Sequence, residues 1–146
     1  MPKPLNLAIL LDGLNACGDA RRWLGSKSAA AAWRTCPDGA WLLWLAARLG
    51  VERQLIVRAA LACARTALPE CSEETIGMVL LCHHLTEEWL EGREDLDTVR
   101  AAAAAGWAAA AARQSARRQR LADCARLVRR CIPYRVVLTA ARTHQQ

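Results

Sequence analysis

The stretch Ser28–Gly50, SAAAAWRTCPDGAWLLWLAARLG, decides the fold class. Ser28 is a helix cap followed by an alanine run, and Pro37 closes that helix after Cys36. Asp38 is the next cap. Behind it Trp41, Leu42, Trp44, Leu45 and Leu49 recur at helical spacing until Gly50 stops the pattern. Two short helices therefore stand back to back.

The same punctuation extends outward in both directions. Upstream, Leu7, Leu10, Leu14 and Cys17 form the apolar stripe of one helix expected from Asn6 to Leu24, stopped by Gly25. Downstream, a helix is expected over Glu52–Leu68, closed by Pro69. Ser72, followed by the acids Glu73 and Glu74, marks the next start, with Gly92 as its stop. Met78, Val79, Cys82, Leu85 and Trp89 share one stripe of that helix. From Asp95 no breaker occurs before Pro133, which predicts a helix of roughly 50 Å if unbroken. A short last helix follows to about Arg142. Short β-branched runs occur at Ile56–Val57 and Val136–Val137, both in helical surroundings. The expectation is all-α: one domain over residues 1–146, a bundle of about six or seven helices. It divides into a Trp/Cys-rich half of short helices, 1–69, and a long C-terminal helical hairpin with a short terminal helix, 70–146.

The composition fits that picture. The chain has 146 residues, enough for one core and too few for two. Hydrophobic residues make up 53%, yet mean hydropathy is only +0.03, because much of the apolar content is alanine. Alanine favours helix and lets helices approach closely, while burying little area per residue. There is no Phe, and six Trp stand beside one Tyr. Ten of the twelve residues 101–112 are alanine, which predicts helix rather than disorder, with Gly106 as a bend or a tight contact and Trp107 as a core plug.

The apolar run Leu5–Leu11 is too short to span a bilayer, and Asp12 interrupts it. A cytoplasmic protein with no membrane association is expected. The seven cysteines are odd in number and show no close CxxC pair, so reduced thiols inside helical patterns are expected rather than disulfides.

Charge is segregated. From Glu70 to Asp97 nine acids face one base, Arg93, whereas from Arg113 to Arg142 nine arginines face Asp123 alone. Pairing across the hairpin would set Glu73 and Glu74 against Arg113 and Arg117. At 100° per residue, His84, Glu87, Glu88 and Glu91 share a face opposite Met78, Cys82, Leu85 and Trp89. With Glu94 they form an acidic strip, the first candidate for a partner-binding surface. Arg118, Arg126, Arg129 and Arg130 form the alternative, a basic surface able to neutralise phosphates. Tyr134 is the one aromatic in that segment able to stack on bases, which weakens the nucleic-acid reading.

The residues point away from catalysis. There is no glycine-rich phosphate loop and no dinucleotide fingerprint. His83 and His84 are adjacent and point about 100° apart on a helix. His84 has ligand spacing to Glu87, Glu88 and Glu91, but no second ligand cluster accompanies it. No catalytic residue, metal or cofactor is expected.

Cys17–Leu24 (CGDARRWL) and Ala32–Leu45 (AWRTCPDGAWLLWL), with Ala60–Arg65 (ALACAR), the alanine tract and Leu127–Pro133 (LVRRCIP), resemble a group of alanine-rich bacterial and phage-borne proteins. Some of that group are classed as immunity proteins of bacterial polymorphic toxin systems. Relatives often carry an acid at the position of Ala40 and tyrosines within the alanine tract, and this chain carries neither. The resemblance implies a small inhibitor that binds a cognate toxin and occludes its active site. An acidic strip would suit a basic nuclease toxin. Within the motif, Trp23, Trp33, Trp41 and Trp44 read as core, locking three short helices, with indole nitrogens that need partners. The further alternative is a structural or regulatory protein of a phage or mobile element that acts through self-association.

Overall fold

The computed structural model describes residues 4–100 and 117–145, apart from the side chains of Glu74, Thr75, Arg117 and Arg118. Among them the helices are α1 (Leu7–Gly13), α2 (Gly18–Leu24), α3 (Ala29–Thr35), α4 (Gly39–Arg48), α5 (Arg53–Arg65), α6 (Glu73–Leu90), α7 (Arg117–Cys131) and α8 (Tyr134–His144). A 3₁₀ turn covers Leu68–Glu70, and residues 96–100 are helical. No strand occurs among the described residues. The chain is all-α. The long alanine helix, the bend at Gly106, the plug at Trp107 and the pairing of Glu74 with Arg113 lie outside the described residues.

The caps form where side-chain chemistry dictates. The Asn6 carboxamide accepts from the amides of Ala8 and Ile9, and Ser28 Oγ accepts from Ala31 N at 3.2 Å. Asp38 accepts from the amides of Ala40 (2.8 Å) and Trp41 (3.2 Å). Each bond satisfies an amide that the first turn leaves without a partner. At the other ends, α4 and α6 close through left-handed glycines, Gly50 (φ +74°) and Gly92 (φ +76°). The next amide, Val51 or Arg93, reaches back to the carbonyl of Ala46 or Glu88. This double closure is the usual glycine-ended helix stop.

The single helix expected over Asn6–Leu24 is two helices. Asn15 adopts φ +56°, Asn15 N donates to Asp12 O, and Ala16 N donates to Leu11 O. That is the same closure with asparagine in the glycine role. Cys17, expected on the buried stripe, becomes the exposed residue that starts α2. The helix expected to Leu68 likewise ends at Arg65, before the 3₁₀ turn containing Pro69.

Helix α7 packs along both α4 and α5, α6 lies against α5, and α8 meets α3. The turn following Gly92 leads into the helical residues 96–100, and among the described residues α7 packs chiefly on α4 and α5. Alanines mark the crossings: Ala46, Ala59, Ala125 and Ala141 are fully buried. Val128 and Ile132 on the α7 side are the largest side chains with no exposure. Gly39 shows why α4 can sit so close. A Cβ there would lie 2.6 Å from the Cys124 Cβ and 2.7 Å from Ala125 N. Glycine is required for this approach of two helices.

Candidate functional site

Helix α6 carries the acidic strip. Its register is set by His83, which is buried 7% exposed against the body of the protein. His84, one step round the helix, is exposed. Leu81, His84, Glu88 and Glu91 follow one another at spacings of three and four and form a continuous stripe. Leu80 and Leu81 are 49% and 54% exposed, and Met78 is 41% exposed. The sequence placed Met78 on a buried stripe. The face turned to α5 is instead the one with His83 and Glu87, so Met78 lies off it.

The acids are not isolated. Arg65, on α5, pairs with Glu87. Arg93 grips Glu88 with two hydrogen bonds of 2.7 Å, from Nε and Nη2, and also pairs with Glu91. The Arg93 contact holds the Glu88 carboxyl below its usual range. Glu94 turns inward along the chain, accepting from Asp95 N at 2.9 Å. Asp95 in turn accepts from the amide and hydroxyl of Thr98, which lowers its pKa. The strip is therefore a surface of exposed leucines and arginine-bridged carboxylates rather than of bare charge.

The alternative basic surface is partly consumed by the fold. Arg129 Nη1 donates to Cys36 O at 2.9 Å and Trp33 O at 3.4 Å, covering the last carbonyls of α3. The sequence placed this guanidinium outward. Its inward turn satisfies carbonyls that a helix end leaves without amides, and it favours the negative end of the helix dipole. Arg126 pairs with Asp123, and Arg130 is exposed. The Arg118 side chain lies outside the described residues. Between the acidic and basic segments Arg120 pairs with Glu70, a pair that the sequence did not single out.

A second feature was not foreseen. Trp33 is buried, but Trp23 and Trp41 are half-buried and Trp44 is 38% exposed. Trp33 belongs to the core and Trp23 and Trp41 pack against it, as expected, whereas Trp44 does not; all four also line a cavity of about 440 Å³, together with Leu7, Leu10, Leu11, Leu24, Leu45 and Val137. The rings of Trp23 and Trp41 stand 6.3 Å apart and tilted by 56°. Lys27 lies 4.5 Å from the centre of the Trp23 ring, and Arg48 lies 5.9 Å from that of Trp44. The indole Nε1–H of Trp33, expected to find a partner, has none among the described residues. Trp spacing alone signals an aromatic cluster and does not reveal whether it closes on itself.

All seven cysteines are free. Burial and the neighbouring Cys124 thiol push the Cys63 thiol up to about 12, and burial also raises Cys36. Such thiols stay protonated and are poor nucleophiles. Among the described residues no group of three potential ligands is placed to hold a metal, and no helix is long and apolar enough to cross a membrane. No family model, curated protein or solved structure matches the chain.

Proposed function

We propose that this chain is a cytoplasmic protein-binding module of the immunity type, which neutralises a toxin domain by covering its active site and performs no catalysis itself. The observation that carries this reading is the outer side of α6. Leu80 and Leu81 are about half exposed beside His84, Glu88 and Glu91. Apolar groups ringed by charge are the usual anatomy of an interface that must remain soluble when unbound. The partner that fits is a protein with an apolar depression bordered by lysines and arginines. Its basic rim would exchange with Arg93 for Glu88 and Glu91, steering the encounter, while the leucines would supply burial. The nucleic-acid alternative has less support, because Arg129 and Arg126 are engaged within the fold.

The test is growth rescue. The chain is coexpressed with any toxin domain encoded beside its gene, alongside the variants L80K/L81K and E87K/E88K/E91K. Rescue by the wild type and its loss in both variants, with helical content retained, is the expected result. Full rescue by both variants would remove α6 from the interface. Salt-sensitive binding of nonspecific DNA by a chain that gives no rescue would replace the reading with the nucleic-acid one.

A further inference from the structure

We propose that the tryptophan-walled cavity is a binding site for a small, uncharged, ring-bearing molecule that carries one hydrogen-bond acceptor. Folded interiors are close-packed and leave few voids larger than a water molecule. A cavity of about 440 Å³ falls instead within the range of ligand pockets. Its wall is chemically selective. Leucines and the tilted Trp23–Trp41 pair offer apolar and aromatic surface, on which a flat ring can pack by its face or its edge. Cys17 and Trp44, both wall residues, are exposed, so the cavity opens to the surface on their side.

The acceptor requirement comes from Trp33. This wall residue is 4% exposed, and its Nε1–H lacks an acceptor among the described residues. Buried polar groups are almost always satisfied, and one left without a partner carries a desolvation penalty. A ligand carbonyl or ether oxygen would relieve that penalty, so such a ligand gains over its hydrocarbon counterpart. A charged ligand would instead lose its hydration against apolar walls. The cation over the Trp23 ring, Lys27, donates to Trp23 O at 2.5 Å and is thus held at the backbone.

Displacement of the uncharged fluorophore N-phenyl-1-naphthylamine from the full chain tests the site. The competitors are benzophenone and diphenylmethane, similar in shape and differing in the carbonyl. The wild type is expected to bind the fluorophore and to prefer benzophenone by about fivefold, the worth of one hydrogen bond. In W33F the ratio of the two competitors' affinities is expected to fall to about one, since no indole donor is left to favour the carbonyl. A20F, which adds a ring to the α2 wall, is expected to abolish binding with helical content unchanged. Absence of fluorophore binding to the wild type would overturn the proposal, as would unchanged binding to folded A20F. Equal affinity of the wild type for the two competitors, or a preference that survives in W33F, would overturn the acceptor requirement. If A20F does not fold, a ligand-induced rise in the wild-type melting temperature, larger for benzophenone, stands in for it, and no rise overturns the proposal.

Discussion

Gly39 lies so close to Cys124 that a Cβ on the glycine would sit 2.6 Å from the Cys124 Cβ. Backbone and a short side chain, rather than a flexible side-chain end, occupy that space. Gly39→Ala should therefore destabilise the chain, by about 1–3 kcal/mol as for other overpacked cores. Gly77, in the interior of α6, has nothing within 4 Å of its would-be Cβ. Gly77→Ala should stabilise by about 0.5–1 kcal/mol. Urea midpoints for the two variants check both signs, and a gain at Gly39 would mean that α4 and α7 are further apart than described.

His83 links stability to pH. Burial lowers its pKa from 6.5, the Arg65 guanidinium adds to the effect, and Glu87 opposes it. The unfolded chain thus takes up the proton at a higher pH than the folded chain. Between the two pKa values the unfolded state holds more protons, so stability falls as pH drops through 6.5 towards the folded pKa and is level above it. His83→Gln should flatten that decline. Urea midpoints at about pH 7.5 and 5.5, spanning the ordinary histidine range, measure it. An equal decline in the variant would assign the effect to other groups.

Arg129 and Arg126 should differ in stability although both are α7 arginines. Arg129 covers the α3 carbonyls of Trp33 and Cys36, whereas Arg126 makes a largely exposed pair with Asp123. Arg129→Leu should cost about 1–3 kcal/mol, the range for losing hydrogen bonds from a charged donor. Arg126→Leu should change stability by under about 0.5 kcal/mol. Thermal melts compare the two directly.

Asn15 holds the left-handed position between α1 and α2. Asn15→Gly should be tolerated, while Asn15→Val should cost about 1–2 kcal/mol, because a β-branched side chain resists positive φ. Equal melting temperatures for the two variants would contradict the helix break at Leu14–Cys17.

These residues also show what could be read in the sequence. The caps Asn6, Ser28 and Asp38 and the stops Gly50 and Gly92 act through local chemistry, and they form as the sequence suggests. The break at Asn15 escaped because asparagine accepts left-handed backbone less often than glycine, and the apolar spacing runs straight through it. The inward turn of Arg129 depends on the end of α3, more than ninety residues earlier in the chain. Periodicity on α6 favours the stripe through Met78, but apolar residues such as Leu80 and Leu81 occur elsewhere round the helix, so spacing alone did not fix the buried face. Burial of His83 and the ion pair of Arg65 with Glu87 make that choice. The cavity was the least legible feature. Tryptophans at helical spacing have the same pattern whether they fill a core or ring a hollow.

The role proposed for α6 is most directly measured by amide hydrogen exchange, with and without a toxin domain that the chain is found to neutralise in the coexpression test. New protection should appear in peptides covering α6, centred on Leu80 to Glu91, with little change in α7 and α8. Protection confined to α7 and α8, with α6 exchanging as in the free protein, would contradict it.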